Sequence, residues 1–189
     1  KAATAAYRIL PSKLKTRIDI HDEEFGFISN KIFQIDSKDL AASKYATSGA
    51  KPKHIKTVNW FVPYFDHLSF GGIYTIFRFI NYFSSKGVVN RIIIYDRPEL
   101  DKDKTLREIK KAFPEMKSTE LIVFSQDTMK LDDLPASDIA FCTFWVSAYF
   151  LLKFNKTKRK YYFIQDYEPL FYAGGATFAL AESTYRFGF

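Results

Sequence analysis

The sequence predicts an α/β fold built on a doubly wound, mainly parallel sheet. Two observations carry that expectation. From residue 57 onward, short apolar runs suited to buried strands alternate with stretches of helical periodicity. Each pair of runs is also far enough apart for a crossover helix, and right-handed crossovers give helices on both faces. The composition allows it: 47% of the 189 residues are apolar, with 20 Phe and 12 Tyr, enough for a sizeable core.

The elements follow in order. Residues 1–56 are polar and rich in Ala, Ser and Lys, and form an irregular N-terminal extension. Within it, FGFISNKIFQID alternates as a strand or hairpin would, and Ser37–Lys56 reads as a linker. Val58–Val62 (VNWFV) is the first strand. Gly71–Ser85 is the first helix of the alternating region, with Ile73, Ile76, Phe77, Ile80 and Phe83 inward and Gly87 as its stop. Arg91–Tyr95 is the second strand, and a charged helix over Asp101–Phe113 turns Leu106, Ile109 and Phe113 inward. Glu120–Phe124 and Asp138–Cys142 are the third and fourth strands. Thr143 is placed to cap a helix reaching Phe154. Lys160–Gln165 is the fifth strand and Ala173–Tyr185 the last helix.

The charge is concentrated rather than spread. The net charge is +7, yet residues 1–56 and the run Lys153–Lys160 (KFNKTKRK) each carry +5, leaving the remainder acidic. No nucleic-acid-binding motif accompanies the charge, so no nucleic acid is expected as a partner. The Lys153–Lys160 run lies before a strand, opposite the ligand-binding edge. It reads as a solvated turn, with contact to anionic lipid as the second reading. The single Cys142 lies in an apolar run and reads as core. One Cys and three scattered His make no metal cluster, and the cysteine usage fits the cytoplasm. The longest uncharged apolar-rich run, Ile139 to Leu152, is shorter than the roughly 18 residues a membrane-spanning helix needs.

Ligands of such sheets bind beyond the carboxyl ends of the strands, which singles out residues 63–72, 96–101, 125–136, 143–145 and 166–175. In the first of these, Asp66 and His67 precede Gly71 and Gly72. A carboxylate beside an imidazole can take a proton or orient a hydroxyl. Glycines at a helix start let an anion approach free N–H groups, although a tight turn would need them equally. The pattern is neither G-x-G-x-x-G nor a P-loop. In the last, Asp166, Tyr167 and Glu168 combine carboxylates that accept from sugar hydroxyls with a ring that can cover a sugar's apolar face.

The blocks NWFVPYFDHLSFGGIYTIFRF and YYFIQDYEPLFYAGGATFALAESTYRFGF resemble the N-terminal domain of bacterial rhamnosyltransferases that build cell-surface glycans. Those are glycosyltransferases of the two-Rossmann-domain, GT-B type. The resemblance covers residues 57–189. It implies a Rossmann-like, acceptor-side domain whose nucleotide-binding C-terminal partner domain lies outside this chain. It further implies metal-independent, cofactor-free transfer of L-rhamnose from dTDP-rhamnose to a glycan or lipid-linked acceptor. The implied place is the cytoplasm, with peripheral contact at the inner face of the plasma membrane. By motif position, Asp66, His67 and Asp166 are the candidate catalytic residues, and Gly71, Gly72, Tyr167 and Glu168 the candidate substrate-binding residues. Two other readings share the sheet. One is a nucleotide-dependent oxidoreductase, for which Asp96 closes the second strand. The other is a non-catalytic binding module.

Overall fold

A computed structural model describes residues 29–189. The chain divides into two units, with the boundary between Ile35 and Asp36. In the first, Lys31–Phe33 form a 3-10 turn capped by the Asn30 side chain, which accepts from the Ile32 N–H at 2.9 Å. The strand or hairpin expected there is therefore a turn over those residues, and residues 25–28 lie outside the described ones.

The second unit begins with helix α1 (Ser37–Ala46), followed by β1 (Thr57–Val62), α2 (Gly71–Ser85), β2 (Val89–Ile94), α3 (Lys102–Ala112) and β3 (Glu120–Val123). Then come β4 (Ile139–Cys142), α4 (Trp145–Lys153), β5 (Lys160–Tyr162) and α5 (Ala176–Thr184). The five strands form one sheet in the order β3-β2-β1-β4-β5, and every pairing is parallel. The expected α/β architecture is the observed one.

β1 sits at the centre, so both its faces are buried, and the run TVNWFV has the apolar density this requires. On one face Val58, Trp60 and Val62 meet Ile76, Phe77 and Ile80 of α2 and Ile109 of α3. Trp60 stacks on Phe141 of β4 with ring centroids 4.2 Å apart. On the other face Phe61 meets Phe154, just past α4, edge-on at 5.6 Å. Several buried polar side chains around β1 are paired, as burial favours. Trp60 Nε1 donates to Asn90 Oδ1 at 2.9 Å, and Asn90 Nδ2 donates to Ser84 Oγ at 3.0 Å. Asn59 Nδ2 donates to the Pro135 carbonyl at 2.8 Å. Cys142 is fully buried, and desolvation holds its thiol well above the usual range.

The Ser37–Lys56 linker expectation is corrected over Ser37–Ala46, which are helical. Asp36 Oδ1 accepts from the N–H groups of Lys38 and Asp39 at 2.8 and 3.0 Å, and Asp39 reaches back to the Asp36 N–H at 3.1 Å. That reciprocal cap starts a helix which has little apolar patterning of its own. α1 packs on α4. Lys160, at the start of β5, is only 4% exposed and donates from Nζ to Ser43 Oγ, the Leu152 carbonyl and Asn155 Oδ1 at 2.8, 2.8 and 3.0 Å. Arg159 donates to the carbonyls of Thr47 and Gly49. Two residues of the supposed solvated turn are thus the clasp that holds α1.

Burial lowers the Lys160 ammonium from 10.5 to about 7. Its folded value lies below its unfolded one, so its contribution to stability is complete above 10.5 and is lost as pH falls through about 7. Lys160→Met should remove this slope. It should also lower unfolding free energy by about 1–3 kcal/mol at alkaline pH, because three acceptors lose a buried donor. Denaturant unfolding of both proteins across that window checks the two effects separately.

Candidate functional site

The chain runs outward from β1 to β2 and β3, then returns to place β4 on the other side of β1. β1 and β4 therefore flank the topological switch point, where sheets of this kind open a crevice. The loops after β1, β2, β4 and β5 converge at that edge.

A cleft of about 540 Å³ opens between the loop after β1 and the loop after β2, extending along α3. Tyr64, Asp66 and His67 form one wall; Arg97, Glu99 and Lys104 form the other. The two loops are joined by Asp96, whose carboxylate accepts from the Tyr64 N–H at 2.8 Å. Partial desolvation raises the Asp96 pKa, opposed by that hydrogen bond. Tyr64 Oη donates to Asp66 Oδ1 at 2.8 Å, which aims the carboxylate and raises the phenol pKa. Arg97 lies over the Tyr64 ring, 4.9 Å from its centroid, and pairs with Glu99 at 2.8 Å. Phe65 anchors the loop by packing edge-on to the buried Phe77 at 5.2 Å. The result is an open, two-signed cleft lined also by the rings of Tyr64 and Phe65. It suits a neutral polyhydroxyl ligand better than a strongly charged one.

Gly71 and Gly72 open α2, and no side chain caps that helix. Neither has a positive φ among the described residues, so a left-handed turn does not explain them. Gly72 answers to a neighbour instead. A Cβ there would lie 3.3 Å from Gln165 Oε1, in the loop after β5, whereas a Cβ on Gly71 would point into open space. The Gln165 contact links the β5 loop to the start of α2 across the end of β4.

The carboxylates after β5 divide. Asp166 is exposed, and its Oδ1 accepts from the neighbouring Tyr167 N–H at 2.7 Å. Tyr167 is 40% exposed and leans on Tyr185. Glu168 turns inward and is 4% exposed. Its Oε2 accepts from the Trp145 N–H at 2.6 Å and from Tyr162 Oη at 3.0 Å. The cleft role expected of Glu168 gives way to a structural one: it caps the N-terminus of α4. Thr143, expected to be that cap, instead donates from Oγ1 to the Phe61 carbonyl at 2.9 Å and ties β4 to β1. Ser147 Oγ accepts from the N–H groups of Thr143 and Phe144. Burial pushes Glu168 up to about 7 although the Trp145 N–H and Tyr162 hydroxyl favour its charged form.

Asp66 and His67 thus share one cleft wall, and Gly72 meets the β5 loop. Asp166 and Tyr167 lie beyond β5, separated from Asp66 in the sheet by β4. Arg97, Lys104, Tyr64 and Gln165 were not singled out by type or motif. Arg97 and Tyr64 lie in residues 96–101 and 63–72, loops the strand-end rule marks in advance. At the opposite edge, Lys158 Nζ pairs with Asp138 at 2.7 Å and holds that carboxyl down at about 2. Lys156 Nζ donates to the Asp132 carbonyl at 2.8 Å. Among the described residues no helix is long and apolar enough to cross a membrane.

Glu168 gives a signed pH prediction. Its folded pKa lies above 4.5, so its contribution is complete below 4.5 and is lost as pH rises through about 7. Glu168→Gln keeps an oxygen for both donors and removes the ionisation. The variant should lose the fall in stability between those limits and exceed the wild type in thermal midpoint near pH 8. An unchanged slope would place the acid-range titration elsewhere.

The comparisons with known proteins fit this architecture. Residues 57–188 match the WsaF N-terminal domain, a stretch that opens on the first residue of β1 and takes in all five strands. The O-antigen biosynthesis protein RfbC of Myxococcus xanthus is 37% identical over 154 residues, covering 81% of this chain. The chain spans only 12% of the length of that relative. No solved structure matches it. By the extent of the first match, the chain belongs to the WsaF N-terminal domain family.

Proposed function

We propose that this domain binds the acceptor glycan for a glycosyltransferase of cell-surface polysaccharide assembly. The observation that carries the reading is the cleft at the strand ends. There Asp66, aimed by Tyr64, shares the lining with Arg97, Glu99 and the rings of Tyr64 and Phe65. Kinship with a protein named for O-antigen biosynthesis supports the glycan class. In the proposed step an acceptor hydroxyl attacks the anomeric carbon of an activated sugar. The new glycosidic C–O bond forms as the bond to the nucleotide diphosphate breaks, and the diphosphate leaves with the electron pair. Asp66 orients the hydroxyl and accepts its proton, and His67 and Glu99 hold neighbouring hydroxyls. Asp166 and Tyr167 extend the acceptor track past β5. The donor, dTDP-L-rhamnose in this reading, is held by a second domain of the whole enzyme. The reaction takes place at the cytoplasmic side of the membrane and requires no metal or cofactor.

The oxidoreductase reading lacks its glycine fingerprint: Gly71 and Gly72 open α2 without the G-x-G-x-x-G pattern.

Transfer assayed in the whole enzyme tests the proposal. Asp66→Asn should lower kcat by about 100-fold or more, the scale of a lost proton acceptor. Arg97→Ala should act mainly through KM, because it removes the guanidinium that covers Tyr64. Gly71→Ala meets no neighbour and should leave the thermal midpoint within a few degrees. It should lower kcat/KM by about tenfold if a substrate group approaches the start of α2, corresponding to roughly 1.4 kcal/mol. Full activity in Asp66→Asn, with acceptor binding unchanged, would return the domain to the non-catalytic binding reading.

A further inference from the structure

The outward faces of α2 and α3 form a surface that the core does not use and that lies outside most of the cleft lining. α2 lies over the sheet with Ile76, Phe77 and Ile80 inward, yet its outer face is also aromatic. Tyr74, Phe79 and Tyr82 are 47%, 47% and 59% exposed. Arg78 is exposed among them, and Lys86 lies over the Tyr82 ring, 5.4 Å from its centroid. Residues 71–86 contain no acid. Thr75, Arg78, Phe79 and Tyr82 line a shallow hollow of about 350 Å³.

α3 lies alongside on the same face. Tyr74 meets Phe113 at its end at 5.7 Å, and Ile109 shares the core with Phe77. Apart from Lys104 and Glu108, which line the cleft, α3 contributes four cations against one acid. The two helices therefore present exposed rings and a clear excess of positive charge on one flank. The cations of Lys156–Lys160, by contrast, are bound to groups of the protein itself.

Charge and chemistry together identify the occupant. The outer face of α2 has no carboxylate to accept from sugar hydroxyls, which argues against a neutral glycan. A second copy docking by two-fold symmetry would bring Arg78 and Lys86 against their own equivalents, so like charges oppose it. Exposed Tyr and Phe rings among Arg and Lys match the headgroup region of a bilayer containing anionic lipid. There rings settle at the interface and cations meet phosphate. We propose that the α2–α3 flank is a docking surface for an anionic lipid bilayer. The surface goes beyond the transferase reading and does not depend on it.

The test is co-sedimentation of the 189-residue chain with vesicles of phosphatidylcholine alone or mixed with phosphatidylglycerol, at low and physiological salt. The expected result is binding that requires phosphatidylglycerol and weakens with salt. Arg78→Glu with Lys86→Glu should reduce it by at least about tenfold, since cations near the surface act additively. Tyr82→Ser should reduce it further, and Lys156→Ser should leave it unchanged. Circular dichroism of each variant separates loss of docking from loss of fold, and all four positions are exposed. Equal binding to both vesicle types, or charge-reversed protein that binds like the wild type, would overturn the proposal. So would concentration-dependent dimerisation abolished by the same reversals, which would give the flank to a second copy. None of these readouts involves turnover, so their failure leaves the acceptor-binding proposal standing, and the converse holds.

Discussion

A buried carboxylate anchors the loop after β5, beside the Tyr185 hydroxyl, which accepts from the Glu168 N–H and donates to the Asp166 carbonyl. Glu168 accepts from the first N–H of α4 and from Tyr162, 23 residues and 6 residues away in sequence respectively. A helix start presents unpaired donors and partial positive charge, so a carboxylate there satisfies both. The burial that makes the contact possible also opposes it, and desolvation wins, leaving Glu168 titrating at about 7. The contact draws the β5 loop back over β4. From there Gln165 reaches Gly72, while Asp166 and Tyr167 are left facing outward. The start of α2, the end of β4 and the β5 loop become one assembly, next to the cleft that Tyr64 and Asp96 close from the other side.

Positive charge is divided by the same economy of partners. At the far edge of the sheet, Lys158, Arg159 and Lys160 spend their donors on Asp138, on the carbonyls after α1 and on the end of α4. A run that looks cationic in sequence has become internal wiring. Arg78 and Lys86 stand exposed among the rings of α2, where an external partner can reach them. Clustering in sequence and availability on the surface are different properties, and here they lie on different elements.

Much of the architecture was legible in the sequence because it rests on local pattern. VNWFV is apolar enough for a strand buried on both faces, and Ile73, Ile76, Phe77 and Ile80 recur at helical spacing. α1 escaped because SKDLAASKYA has almost no apolar stripe; the signal present was the Asp36–Asp39 reciprocal cap, whose two ends were divided between the strand-like stretch and the linker. The place of Asp66 and His67 at a strand end beside a helix start was legible from position, and the cleft forms there. Glu168 and Thr143 were misassigned for a reason no local pattern contains. The nearest polar residue, Thr143, was drawn to the Phe61 carbonyl, and the cap came from a distant loop. Gln165 against Gly72 and Arg97 over Tyr64 are likewise tertiary contacts between different strand ends.

The account stands on the Glu168 cap, and the Trp145 amide reports on it directly. Native-state hydrogen exchange of that N–H should be slow, because a first-turn amide has no partner within its own helix and owes its protection here to the carboxylate. In Glu168→Ala the Trp145 amide should exchange at least about tenfold faster while amides in the middle of β1 keep their protection. Rapid exchange at Trp145 in the wild type, or equal protection in the two proteins, would contradict the central role given to this contact.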